Sequence, residues 1–131
     1  MNQRDTNMTD KKRGSAGNGD PELTPAMFHI LLALADGPRH GYAIMQQVEA
    51  ATRSEIRLPP GTLYRSIKRL LGDGLIEEAD APPDDGPQSE RRRYYAISAR
   101  GRELAGAQAR RMAEIVGLAR EKNLLEGPKR A

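Results

Sequence analysis

Between Arg57 and Arg69 the chain carries four basic residues and no acid. Set on a helical wheel from Gly61 onward, that stretch divides in two. Leu63, Ile67, Leu70 and Leu71 fall on one face; Gly61, Thr62, Arg65, Lys68 and Arg69 fall on the other. The chemistry available on the polar face is recognition of double-stranded DNA. Arg offers a bidentate fork that matches the guanine edge, and Lys and Thr suit phosphates or base edges. Gly61 at the helix start lets backbone N–H groups come close to a phosphate. Tyr64 lies at the flank of the apolar side, where its ring can pack while its hydroxyl stays wet or meets a phosphate. An ordinary solvated helix face is also polar, but it usually mixes the two signs of charge.

A second basic cluster is Arg91, Arg92 and Arg93. From there Arg93, Tyr95 and Ile97 alternate with Arg92, Tyr94 and Ala96, the period of a strand. Alternation sends Arg92 and Arg93 to opposite faces, so at least one is expected at the DNA backbone when the helix lies in a groove. Tyr95 and Ile97 are expected to pack inward, with Tyr94 nearer the surface. The preceding stretch is opposite in character. From Leu70 to Glu90 there is no Lys or Arg, and there are seven acids: Asp73, Glu77, Glu78, Asp80, Asp84, Asp85 and Glu90. Phosphates repel such a segment. Contact is expected at the arginine base of the hairpin and not at its tip.

Other chemistries find little support. The chain has no cysteine, and its two histidines, His29 and His40, have no carboxylate pair at ligand spacing. No Ser/His/Asp cluster, P-loop or dinucleotide motif occurs, so no enzyme and no cofactor is expected. The net charge of +3 is mild, which makes the distribution of charge the informative quantity. The longest apolar run, Ile30 to Ala35, is too short to cross a bilayer, and the N-terminus has no apolar signal segment. A cytoplasmic location away from membranes is expected. The run Lys11-Lys12-Arg13 is diluted by Asp5, Asp10 and Asp20 and reads as a solvated tail.

The elements that must position the basic residues follow from turn and cap signals. Residues 1–21 have almost nothing to bury and read as a tail. A first helix opens at Thr24-Pro25 and stops at Asp36-Gly37-Pro38. A second runs from Gly41 to Ala51, with Tyr42, Met45 and Val48 on one side. Residues 53–58 form a link with room for a brief strand. Pro59-Pro60-Gly61 opens the third helix, which Gly72-Asp73-Gly74 stops. Leu75–Glu78 and the 92–97 stretch make a hairpin, and Ser98 caps a long last helix reaching about Leu125, closed by Gly127-Pro128. The fold class expected is mainly α: a winged helix-turn-helix of three helices and a two-stranded wing, followed by a long dimerisation helix. The division expected is a DNA-binding unit at 22–97, the last helix at 98–125 and a tail at 126–131.

That last helix carries Leu104, Met112, Ile115, Val116 and Ala119 as a broken apolar stripe, beside Ala105 and Leu118. It is too long to rest wholly on a domain of this size. A partner chain is the better explanation, with packing on its own domain as the other reading.

Five motifs in order resemble the PadR family of bacterial regulators. They are His40-Gly41-Tyr42, Gly61-Thr62-Leu63-Tyr64-Arg65 with Lys68-Arg69-Leu70, Asp73-Gly74-Leu75-Ile76, Arg91-Arg92-Arg93-Tyr94-Tyr95, and Gly101. The likeness covers about residues 23–125 and is to the shorter branch with a single C-terminal helix. It implies a winged-helix homodimer on double-stranded DNA, usually a repressor, with the first helix joining the dimer interface. Some relatives hold phenolic acids or flat cationic drugs between these helices against an aromatic residue. Here the corresponding turns carry Ala105, Ala109 and Met112, and the chain has no Trp. A stacked planar drug would lack its platform, while a small-molecule effector in an apolar pocket stays open. The expected function is repression from a two-fold operator, with release by an inducer left open. The alternative is a winged-helix module whose basic face binds an acidic protein. A DNA reader needs Arg65, Lys68 and Arg69 on one side with Arg91–Arg93.

Overall fold

Thr24 Oγ1 accepts a hydrogen bond from the Met27 N–H at 3.1 Å, and Pro25 takes the first helical position. These two residues open α1 (Pro25–Leu34) where a missing N–H costs nothing. The computed structural model describes residues 20–83, 86–87 and 92–126. After α1 come a two-residue strand β1 (Arg39–His40), α2 (Gly41–Ala51), α3 (Pro60–Gly72), β2 (Ile76–Ala79), β3 (Tyr94–Ile97) and α4 (Ala99–Glu121). The sheet is antiparallel with order β1-β3-β2, pairing Arg39 with Tyr95 on one side and Glu78 with Tyr95 on the other. This is a winged helix-turn-helix with a long C-terminal helix.

One core joins these elements. Ile30, Leu31 and Leu34 of α1 meet Ile44 and Val48 of α2, Leu63, Ile67 and Leu70 of α3, and Leu75, Ile76 and Tyr95 of the wing. Burial of each large aliphatic side chain is worth about 1.5–3 kcal/mol, so the apolar face of α3 is what holds its polar face in place. The C-terminal end of α1 is held by two cations. Arg39 donates from Nε to the Ala33 carbonyl at 2.7 Å, and Arg102 of α4 donates to the Ala35 carbonyl at 3.0 Å. Both satisfy carbonyls at the negative end of the helix.

Several sequence expectations need correction. Residues 53–58 hold no strand; a turn with Arg53 and Ser54 at positive φ occupies the link. The third strand is instead β1, before α2. Tyr42 does not share a buried side with Met45 and Val48: it is exposed, and Gly41, Ile44 and Val48 are the buried residues of α2. Tyr94 is not near the surface. It is as buried as Tyr95, because β3 is the central strand and His40 of β1 lies edge-on against the Tyr94 ring at 5.4 Å. The last helix ends at Glu121, before Gly127-Pro128. Asn123 takes φ 66°, and the Leu124 N–H bonds back to Ala119 O at 2.9 Å, a left-handed cap that terminates the helix. Asp84, Asp85, Glu90, Arg91, the 1–19 tail and residues 127–131, which carried earlier expectations, lie outside the described residues.

At 23 residues, α4 is about 35 Å long. Gly101, Leu104 and Ala105, in its first turns, pack on the core. The same face continues as Met112, Ile115 and Val116, which are 42%, 62% and 36% exposed. The two readings of this helix therefore divide along its length: the first turns pack within their own domain, and the later turns leave it uncovered. Among the described residues no helix is long and apolar enough to cross a membrane.

Candidate nucleic-acid interface

Pro59 and Pro60 set the start of α3, and its first turn has no side-chain cap. Gly61 at this start faces open space: an added Cβ would meet nothing within 4 Å. The backbone here is accessible to a ligand. Arg65, Lys68 and Arg69 are exposed along the same side, with Thr62 half-buried, while Leu63, Ile67 and Leu70 are sealed in the core. The division read from the wheel is thus the division in space.

The face is less free of acid than the local sequence implies. Arg69 Nε lies 3.8 Å from Asp73 Oδ2 one turn on, and Arg57 Nε lies 3.7 Å from Glu49 of α2. The arginines of both pairs are exposed, while Glu49 and Asp73 are half-buried and Asp73 Oδ2 itself is buried. Arg65 reaches back to Thr62 Oγ1 at 3.5 Å.

Tyr64 connects α3 to α2. Its hydroxyl lies over Gly41, where any Cβ would collide with it. That contact gives the glycine of the His40-Gly41-Tyr42 motif a physical reason: it clears room for the Tyr64 ring at the first turn of α2. Tyr64 remains half exposed. Tyr42, which sequence reasoning placed inside, stands exposed at this same helix start. Its position in the first turn, two residues after the capping His40, was the signal that could have found it.

At the wing, Arg92 and Arg93 lie just before β3, outside the strand expected to begin at 92, and take different partners. Arg93 Nη1 bonds Glu78 Oε2 across the hairpin at 3.2 Å, and Arg92 Nη1 lies 3.2 Å from His40 Nε2. Contacts therefore run from α3 to the wing: Tyr64 to Gly41, then His40 to Arg92. The exposed face of α3, the start of α2 and the base of the wing form one edge. Buried nearby, the Tyr95 phenol is held above its ordinary pKa, chiefly by burial and further by Tyr64, while Arg93 works the other way. No group of His, Asp and Glu able to hold a metal is found among the described residues.

Comparison with known proteins bears on this arrangement. The pattern of the transcriptional regulator PadR-like family matches residues 30–107, well over half of the chain. The transcriptional regulator Rv3488 of Mycobacterium tuberculosis is 34% identical over 88 residues, which are 67% of this chain and 76% of that protein. A 37.1 kDa protein in transposon TN4556 of Streptomyces fradiae is 37% identical over 92 residues, 70% of this chain. The match spans only 24% of that longer relative. Among solved structures, a PadR family transcription regulator from Clostridium difficile aligns with TM-score 0.60 at 21% identity, covering 75% of this chain and 97% of the other. A transcriptional regulator from Clostridium thermocellum aligns with TM-score 0.58 at 23% identity, covering 73% and 87%. The structures establish the fold, and the sequence matches establish the family: the chain belongs to the PadR-like transcriptional regulators and is a DNA-binding protein.

Proposed function

We propose that the protein is a repressor that binds a two-fold operator as a homodimer, with α3 in the major groove and the wing base on the adjacent backbone. One observation carries this reading. The only face of α3 left uncovered by the core holds Gly61, Thr62, Arg65, Lys68 and Arg69, and it is continuous through Tyr64 and His40 with the wing arginines. Gly61 supports close approach of the backbone to a phosphate, Arg65 and Arg69 supply base or phosphate contacts, and Lys68, Tyr64 and Tyr42 supply backbone contacts. At least one of Arg92 and Arg93 meets the DNA backbone, with Arg91 as the third member of that cluster.

Homodimerisation rests on the later turns of α4. Met112, Ile115, Val116 and Ala119 continue the face that Leu104 begins, and they leave the domain uncovered. A second copy supplies an identical stripe, so two such helices bury each other with two-fold symmetry. In this reading residues 22–97 form the reading unit and 98–125 the dimerisation arm, as in the single-helix branch of the family. Release by a small molecule held between the helices belongs to the same reading, in a cytoplasmic protein. Its test is a gel shift titrated with phenolic acids and flat cations.

The principal test is substitution on α3. Arg65→Ala and Lys68→Ala each weaken specific binding, by about 1–3 kcal/mol where the contact is to a base. A gel shift at low and moderate salt reads the effect, and unchanged affinity in both variants removes α3 from the groove.

A further inference from the structure

No linker separates the wing from the last helix. β3 ends at Ile97, α4 begins at Ala99, and Ser98 alone lies between them. Its hydroxyl works in both directions. Oγ accepts from the Gly101 N–H at 3.0 Å and so caps α4, and it donates to the Gly74 carbonyl at 2.7 Å. A hydroxyl carries one proton and two lone pairs, so the two bonds do not compete. The Ser98 N–H adds a bond to Leu75 O at 3.0 Å. Gly74 and Leu75 belong to the turn that ends α3. The Gly74 N–H bonds Leu71 O at 3.1 Å, and the Leu75 N–H bonds Leu70 O at 2.9 Å. The first turn of α4 is thus fastened to the end of α3, the helix that carries Arg65, Lys68 and Arg69.

We propose that Ser98 is a positioning residue for operator recognition, a joint that fixes the angle between α3 and α4 and so sets which half-site spacing the protein accepts. This rests on the reading that the later turns of α4 pair two copies on a two-fold operator. Small changes at the joint are magnified by the arm. From Ser98 to Ile115 the helix runs roughly 25 Å. A tilt of about 5° at the joint shifts Ile115 by about 2 Å relative to its own α3. The same tilt in both protomers changes the distance between the two α3 helices by up to about 4 Å, the size of one base-pair step. A loose joint lets the pair follow half-sites at several spacings; a fixed one makes a displaced half-site costly. The neighbouring contacts do not do the same. Leu104 and Ala105 pack through apolar surface, which is non-directional, and Arg102 bonds the Ala35 carbonyl at the end of α1. The Ser98 bonds are directional and act on the end of α3 itself.

The experiment uses the full chain and a duplex that the parent protein selects from a random pool. Fluorescence anisotropy compares the selected duplex, the same duplex with one base pair inserted between its half-sites, and a duplex with one half-site scrambled. S98D keeps a favoured capping side chain but has no proton to give the Gly74 carbonyl. It should narrow the parent's affinity ratio between the selected and the inserted duplex by about two- to tenfold, the worth of one lost hydrogen bond. On the single half-site, which demands no fixed distance, S98D should bind as the parent does. S98T, which keeps the hydroxyl, should keep the parent's ratio. An unchanged ratio in S98D, or an equal loss on all the duplexes, overturns the proposal. If the parent sediments as a monomer, or binds the single half-site as tightly as the pair, the two-fold reading fails and this inference with it. Should S98D not fold, S98G, also tolerated at a helix start, removes the donor without adding charge, and its ratio decides the question in the same terms.

Discussion

Gly101 is the third residue of α4, and replacing it by Ala sets two opposing effects against each other. Helix propensity favours Ala by up to about 1 kcal/mol. Sterics oppose it. A Cβ at this position collides with the Leu75 carbonyl oxygen and comes within 2.9 Å of Ile97 Cγ1. The carbonyl cannot easily withdraw. It accepts from the Ser98 N–H at 3.0 Å, while the Leu75 N–H is tied to Leu70 O at 2.9 Å and Ser98 Oγ donates to Gly74 O at 2.7 Å. Ser98 Oγ also caps the Gly101 N–H. Making room means prising the start of α4 from the α3–β2 turn. Overpacking of this kind costs about 1–3 kcal/mol, and each strained hydrogen bond adds about 1 kcal/mol. The net expectation is a loss of about 2–4 kcal/mol after the propensity gain. Chemical denaturation at fixed protein concentration measures it, because the midpoint of a dimer, the assembly proposed above, depends on concentration. Gly117→Ala is the control: its Cβ meets nothing within 4 Å, so it should raise stability by up to about 1 kcal/mol. Gly101→Ala with stability equal to or above the parent would show that the close approach does not constrain the fold.

Gly61→Ala should leave the thermal midpoint equal or slightly higher, since the site is open, yet weaken DNA binding; unaltered affinity would mean that no phosphate approaches the helix start. Met112→Glu with Ile115→Asp changes side chains already exposed in one chain, so the protein should stay folded and sediment as a monomer. A dimer that persists would place the interface elsewhere. Alkaline stability should depend on Tyr95. Its folded pKa is raised mainly by burial, so its contribution is complete below the unfolded value and is lost as pH climbs from about 10 upward. Tyr95→Phe should flatten that decline in a denaturation series, and an identical decline would assign it to other groups.

The helices were legible because their ends are written in residues with one physical use each. Thr24-Pro25 and Ser98 cap, and Gly72-Asp73-Gly74 stops α3. The polar and apolar faces of α3 were legible because 3.6-residue spacing alone separates them. What escaped is what depends on distant neighbours. β1 has two residues and therefore no period to read. Tyr94 was misplaced because alternation decides which face a residue takes, not whether that face is covered, and the cover comes from His40, far away in sequence. Glu49 beside Arg57 and the Tyr64 ring over Gly41 are likewise tertiary. The early end of α4 turned on Asn123, which can adopt the left-handed cap that was looked for at glycine. Tyr42 stands off the arc of Gly41, Ile44 and Val48 that α2 buries, and grouping it with Met45 and Val48 set the apolar face too wide.

The sheet order leaves β2 on the outside, with Glu77 and Glu78 exposed along it. An open strand edge invites another strand to add, and repeated addition builds fibrils. Two adjacent carboxylates resist this, since a second copy would bring its own pair against them. The acids expected to hold the wing tip off DNA thus have a second consequence at this edge, where they oppose the addition of another strand.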